Sequence, residues 1–143
     1  MNLPSTAIDN IAELLLTIIQ FTQARQKVLS RNINDIDKLG FVPMDLAVDE
    51  FSELLHMAIN EHTQSQRLLL VDTDHIKFGE SGSLDVKPVQ DEDAMELFEH
   101  NRDEYFEQQI SKLMENSLNQ RVATELLKDK HGISQAHDWP EIL

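Results

Sequence analysis

Apolar residues at helical spacing fill the first part of the chain, and this pattern constrains the fold more than any other feature. It predicts one long helix over residues 6–33. The apolar positions spread over more than one narrow stripe, so this helix should need neighbours on more than one side. They are Ile8, Ile11, Ala12, Leu14, Leu15, Ile18, Ile19, Phe21, Val28 and Leu29.

A second long helical pattern covers residues 91–131, with a break near Glu99 to Asp103. Acidic residues at its beginning and basic residues at its end suit the helix dipole, and Gly132 suits the position after a helix. Its apolar stripe comprises Phe106, Ile110, Leu113, Met114, Leu118, Val122 and Leu126. The simplest interpretation is an antiparallel bundle in which the two stripes face each other. The alternative is that the terminal helices pair and also pack against other copies.

The centre of the chain is less regular. Residues 45–62 predict a shorter amphipathic helix. Within residues 63–90, the apolar runs 68–71 and 76–78 could be short strands, while Gly79 and Gly82 favour a loop or a loose hairpin. The last residues, with Trp139 and Pro140, are expected to be flexible.

The predicted fold class is therefore mainly α. Long N- and C-terminal helices pair as a helical hairpin or coiled coil, around a short helix and an irregular centre that could contain a β-hairpin. We divide the chain into an N-terminal helix and turn (1–40), a central acidic segment (41–90), a C-terminal helix (91–132) and a tail (133–143). These parts are expected to form one structural unit.

Charge and composition exclude several classes of function. The net charge of −14 is opposite to that of a nucleic-acid-binding protein and disfavours an anionic membrane surface. The absence of cysteine excludes disulfides and thiolate chemistry. The apolar run at 14–19 is too short to span a bilayer, and Asp9 and Glu13 precede it where a cleaved signal peptide would carry basic residues. We expect neither nucleic-acid binding nor membrane insertion.

No pattern in the chain calls for catalysis. Four scattered glycines cannot build a phosphate loop, and no serine lies in a Gly-x-Ser-x-Gly elbow. The segment from Glu53 to His56 has the Glu-x-x-His spacing of di-iron bundles. The nearest second candidate, from Asp72 to His75, lies where a helix is least expected. We therefore expect no enzyme, no cofactor and no metal, and retain a carboxylate–histidine metal-binding bundle as the weakest alternative.

The first helix ends in the sequence Arg31-Asn32-Ile33-Asn34-Asp35, which favours a cap or turn because Asn and Asp side chains compete for backbone hydrogen bonds. Gly40 then supplies a permissive backbone. Residues 32–41 resemble the motif Asn-Ile-Ala-Asn-Ala-Asp-Thr-Pro-Gly-Tyr, which follows the N-terminal helix in the flagellar basal-body rod protein family. Asn32, Ile33, Asp37 and Gly40 match this motif, and Phe41 stands at the aromatic position.

The C-terminal half strengthens this resemblance. Residues 115–118 and 122–127 are similar to the family's C-terminal helix. The sequences His100-Asn101-Arg102 and Thr73-Asp74-His75-Ile76 resemble the proximal rod subtype. Leu39 stands where the family has proline, Asn34 and Asp35 stand where it has Ala and Asn, and Gln120-Arg121 stands where it has Tyr-Gln.

The resemblance implies a structural subunit of the bacterial flagellar rod, which spans the periplasm. Such a subunit is exported through the flagellar type III apparatus without a cleaved signal peptide. Its implied partners are its own copies, other rod subunits, and export-gate and membrane-ring components. The assembly interface is then expected to include Ile8, Ile11, Leu15, Ile18, Ile19, Asn32, Ile33, Asp37, Gly40, Phe41, Ile110, Leu113, Asn116, Leu118, Val122 and Leu126. The alternative is an acidic helical adaptor or chaperone-like protein that uses the same apolar faces on another partner.

Overall fold

The fold is mainly helical, as the sequence predicts. A computed structural model describes the backbone of residues 5–131 and the side chains of residues 9–130 except Ser81. The expected tail and the side chain of Ile8 lie outside these residues. In chain order the elements are α1 (Ser5–Asn34), β1 (Met44–Asp45), α2 (Val48–Ser65), β2 (Ile76–Phe78), a 3-10 turn (Glu80–Gly82), β3 (Leu84–Val86), β4 (Val89–Gln90), α3 (Glu92–His100) and α4 (Arg102–His131).

The two long helices α1 and α4 pack against each other in opposite directions. Early α1 contacts late α4, whereas Asn32 near the end of α1 contacts Tyr105 near the start of α4. The apolar part of this contact is a cluster of Ala12, Leu15, Ile19, Ala123 and Leu127. The predicted pairing of the terminal helices as a helical hairpin is confirmed.

The predicted apolar stripe of α4 does not face α1, so the interpretation in which the two stripes face each other is wrong. The buried face of α4 consists of Tyr105, Gln109, Asn116, Gln120, Ala123 and Leu127. These positions recur at spacings of three, four and seven, which keep to one side of a helix. Most of the apolar stripe recurs strictly every four residues, so it winds around α4 and cannot follow one neighbouring helix.

The central core lies between α1, α2 and the β2–β3 hairpin. The rings of Phe21 and Phe51 stack with their centroids 3.9 Å apart. The buried core side chains here are Phe21, Val28, Leu46, Phe51, Leu54 and Ile76. The helix predicted at 45–62 is present as α2, and its buried face includes Phe51, Leu54 and Ala58.

The irregular centre contains one predicted and one unpredicted strand pair. The strand expected at 76–78 pairs with β3 in an antiparallel hairpin. The possible strand at 68–71 does not form: Gln66 ends α2 in the left-handed conformation, and the chain then turns so that the Thr73 amide donates to the Ile76 carbonyl. The β1–β4 pair has only two residues in each strand, too few to produce a recognisable periodicity.

The predicted break in the C-terminal helical segment is confirmed at Asn101, between α3 and α4. Asn101 has an extended backbone, and its side-chain Oδ1 accepts a hydrogen bond from the Glu104 amide at 3.2 Å. This is the N-cap interaction that asparagine favours. Within residues 5–131, no helix combines the length and hydrophobicity that crossing a bilayer requires.

Candidate assembly surface

Asn32, the first residue of the rod-like motif, is buried and joins three parts of the chain. Its Nδ2 donates to the Met44 carbonyl at 2.7 Å and to Gln109 Oε1 at 2.8 Å. Its Oδ1 accepts from the Met44 amide at 3.0 Å. Its own carbonyl accepts from the Tyr105 hydroxyl at 2.6 Å. One side chain at the end of α1 therefore fixes the positions of β1 and α4.

The hydroxyl of Tyr105 remains a donor at any pH near neutrality. Burial raises the pKa of Tyr105 to about 12, and the negative charge of Asp91 acts in the same direction. The phenol is therefore protonated, and its hydrogen bond to the Asn32 carbonyl is retained.

We expect Asn32→Ala to lower the free energy of unfolding by about 2–3 kcal/mol, because it leaves the Met44 amide and the Gln109 side chain without their partner. Asn34→Ala, at an exposed position one half-turn further on, should change stability by less than about 0.5 kcal/mol. Urea unfolding followed by circular dichroism measures both variants. Equal effects at the two positions would show that the buried hydrogen bonds of Asn32 do not stabilise the fold.

The turn after α1 is held by its own backbone hydrogen bonds. The Lys38 amide donates to the Asp35 carbonyl at 3.0 Å, and the Phe41 amide donates to the Lys38 carbonyl at 3.1 Å. Gly40 has φ +77°, which a residue with a side chain rarely adopts. The ring centroids of Phe41 and Phe98 lie 5.3 Å apart. These hydrogen bonds and the ring contact hold the turn in one conformation.

Parts of this turn extend into solvent. Asp37, Leu39 and Gly40 are exposed, whereas Ile33 and Phe41 are half-buried. Leu39, which stands at the family's proline position, is fully exposed at 106%. The turn therefore exposes one apolar side chain, Leu39, and one acidic side chain, Asp37, beside the end of α1.

The outer surface of α4 carries a line of exposed apolar side chains, which we call the α4 stripe: Ile110, Met114, Leu118, Val122 and Leu126. Their exposed fractions range from 47% to 69%. Five such side chains present roughly 500 Å² in all, spread along and around the helix. Exposed apolar areas of this size are often functional.

The two ends of the α4 stripe point in different directions. Each step of four residues rotates the position by about 40° around a helix, so Ile110 and Leu126 lie about 160° apart. Leu118, Val122 and Leu126 border an apolar groove between α1, α2 and α4, whereas Ile110 and Met114 do not line it. A single flat neighbour could not cover the whole stripe.

The groove has a volume of about 410 Å³. Its apolar lining includes Leu15, Ile18, Phe21, Phe51 and Leu55 in addition to the α4 residues. Arg25, Ser52 and Glu115 also border it. The groove thus offers an apolar interior with a polar rim.

Several residues expected at the assembly interface are instead buried inside the chain. Leu15 and Ile19 belong to the apolar contact between α1 and α4. Asn116 is 1% exposed, and its Nδ2 donates to the Thr22 carbonyl at 2.8 Å. Ile11, Ile18 and Leu113 are half-buried. The buried members stabilise the fold of the chain, and the exposed α4 positions form the surface available to a partner.

A network of charged groups links α1, β1, α4 and the start of α3. Arg25 donates to both carboxylate oxygens of Asp45, at 2.9 and 3.0 Å. The Lys112 ammonium lies 3.3 Å from Asp45 Oδ2 and 2.6 Å from Asp91 Oδ2. Sequence reasoning missed this network, because its members are far apart in the chain and no spacing connects them.

The charge of Asp45 is stabilised in the folded protein. Burial alone would raise the pKa of Asp45, but the hydrogen bonds and charge of Arg25 act against it. The Leu46 amide and Lys112 act in the same direction as Arg25, and the pKa lies below its ordinary value. Asp45 therefore remains ionised when the protein is folded.

The candidate metal ligands do not converge. The carboxylate of Glu50 accepts from Thr73 Oγ1 at 2.6 Å and lies 2.8 Å from His75 Nδ1, so it holds the loop before β2 against α2. These hydrogen bonds lower the pKa of Glu50. Glu53 and His56 are exposed on α2. Within the part of the chain that the structure describes, no three His, Asp or Glu side chains form a possible metal-binding group.

Comparison of the chain with protein-family models, with curated proteins and with solved structures finds no match.

Proposed function

We propose that this protein is a self-assembling structural subunit of the bacterial flagellar basal-body rod. The single observation that carries the proposal is the arrangement of α4: three amide side chains, Gln109, Asn116 and Gln120, lie on its buried face, while five large apolar side chains, the α4 stripe, are exposed. A helix in an isolated protein normally has the opposite arrangement. The exposed stripe is accounted for if neighbouring subunits cover it.

The resemblance of residues 32–41 to the rod protein motif gives the assembly its proposed identity. The matching Asn32 fixes the end of α1 to β1 and α4. The matching Gly40 adopts the left-handed conformation in the following turn. Both residues thus have a specific structural role where the chain leaves α1. Such roles are expected of a motif that sets the shape of a subunit.

The proposed protein acts without catalysis. Its partners are its own copies, other rod subunits, and the export-gate and membrane-ring components next to the rod, which it reaches by type III export. Repeated contacts that do not close into a ring generate a helical polymer. An α4 stripe with two differently directed ends suits such contacts, because each end can meet a different neighbour.

Deletion of the gene tests the proposal. We expect cells of the source organism without it to lack rods and external filaments while the inner-membrane ring persists. A plasmid copy of the wild-type gene should restore both structures. A deletion strain that still builds normal rods would rule the proposal out. A normal rod in that strain, together with a stable one-to-one complex of the purified protein with another protein, would favour the adaptor function.

A further inference from the structure

We propose that Ile110 and Met114 of one copy insert into the apolar groove between α1, α2 and α4 of a second copy. This contact rests on the proposed self-assembly and specifies which surfaces meet. The groove and the two inserting side chains lie on different sides of α4, so one chain cannot join them within itself.

The size of the groove fits these two side chains. An apolar cavity of about 150 Å³ accommodates a benzene molecule, and the groove has a volume of about 410 Å³. It therefore has room for two or three side chains of that size. Ile110 and Met114 are 50% and 69% exposed and lie about 6 Å apart along the helix axis.

The geometry of α4 suits insertion of one such helix into another. Side chains four residues apart form a ridge on a helix surface, and the commonest packing of two helices places these ridges into the grooves between them at about −50°. Ile110 and Met114 form such a ridge. Leu118, Val122 and Leu126 form the ridge that borders the groove. The two surfaces therefore have matching spacing.

The charges beside the two surfaces are complementary. Glu115 borders the groove and is exposed. Arg121 lies two turns beyond Met114 on the same side of α4. Its side chain is exposed and makes no ion pair with any other described side chain. In the proposed contact, the Arg121 guanidinium of one copy approaches Glu115 of the next. Arg25 at the same rim is already paired with Asp45.

The presence of exposed apolar area on both the ridge and the groove of each chain favours a second copy as the occupant over a small molecule. A standard protein interface buries about 800 Å² per partner, of which roughly 60% is apolar. Of this apolar area, Ile110 and Met114 supply roughly half on the inserting side, and Leu118, Val122 and Leu126 supply roughly half on the groove side. Because each copy carries both the ridge and the groove, the contact is heterologous and repeats from copy to copy; it builds an open helical polymer when the rotation between copies does not close a ring.

Cysteine cross-linking tests this contact directly, because the wild-type chain has no cysteine. Met114→Cys places a thiol on the ridge. Ser52→Cys places a nearly isosteric thiol at an exposed position that borders the groove. Ser65→Cys is the matched control, because Ser65 is an exposed serine on the same helix and does not line the groove.

Equal amounts of two purified single-cysteine variants are mixed, oxidised and separated on a non-reducing gel. We expect about tenfold more cross-linked heterodimer from Met114→Cys with Ser52→Cys than with Ser65→Cys, since bound partners hold the thiols at high effective concentration. The double variant Met114→Cys/Ser52→Cys should form a ladder of multimers. Equal yields with both serine variants would overturn the inference, as would a Met114→Cys sample that links only to itself.

The result is separable from that of the gene deletion. Missing rods in the deletion strain, combined with no specific cross-link, would leave the rod function in place and remove this contact. A specific ladder from the purified variants, combined with normal rods in the deletion strain, would retain the contact and remove the flagellar function.

Discussion

Leu118→Asp should abolish assembly while leaving the subunit folded. The side chain is 58% exposed at the centre of the α4 stripe, so the monomer should lose less than about 1 kcal/mol of stability. In an assembly, the same carboxylate would be buried in apolar surroundings without a partner, at a cost of about 3 kcal/mol or more. We expect association to weaken at least about a hundredfold.

Leu127→Asp provides the contrast on the same helix. Leu127 is 2% exposed in the cluster between α1 and α4. A carboxylate there should cost about 5 kcal/mol, which is most of the stability of a small domain, and the helical signal should be lost cooperatively. Leu118→Met, which retains the apolar surface, should both fold and assemble.

Circular dichroism of the purified variants and electron microscopy of rods in complemented cells measure the two effects. If Leu118→Asp still builds rods, the α4 stripe is not an assembly surface. If it unfolds as Leu127→Asp does, the stripe belongs to the core of the subunit.

Asp45→Asn should destabilise the folded subunit by about 3–5 kcal/mol. It leaves the buried guanidinium of Arg25 without its carboxylate and removes one of the two acidic partners of Lys112. Asp74→Asn, at an exposed loop position, is the control and should change stability by less than about 0.5 kcal/mol. Urea unfolding at neutral pH measures both differences.

The effect of Asp45→Asn should depend on pH in a defined direction. Because folding lowers the pKa of Asp45, its charge contributes stability that is fully present above the unfolded-state pKa, about 4. That contribution is lost as the pH falls through the folded-state pKa. The difference between wild type and variant should therefore be largest at neutral pH and shrink below about pH 4. A difference that stays constant down to pH 2 would show that packing dominates over charge.

The sequence alone was sufficient to predict the elements that have long periodic patterns or strong local signals. The bounds of α1, the break at Asn101 and the β2 strand agree with the structure because capping and periodicity act over a few neighbouring residues. The apolar run at 68–71, a possible strand by its sequence, does not form one, because a strand also needs a partner and this run has none within residues 5–131. Local preference carries no information about such tertiary pairing.

The orientation of α4 could not be predicted from hydrophobicity. Such reasoning assumes that the most apolar side faces the core, and here Gln109 and Asn116 are buried. Their burial is stable because Asn32 and the Thr22 carbonyl provide hydrogen-bond partners on α1. A weak signal was present in the sequence, since Gln109, Asn116 and Ala123 recur every seven residues. Most of the α4 positions predicted at the assembly interface are exposed. The simplest interpretation of the sequence had instead placed this stripe against α1.

The buried amides of α4 also determine which side chains the protein exposes to solvent. A purely apolar contact between two helices tolerates sliding, because one leucine can take the place of another. Asn116 accepts only a position that brings it to the Thr22 carbonyl, and Gln109 only one that brings it to Asn32. A slip of α4 by a single residue would rotate its outer surface by about 100°. The buried amides thus fix the rotation of α4 about its own axis. This rotation sets the angle between the ridge and the groove, and therefore the pitch at which successive copies would stack.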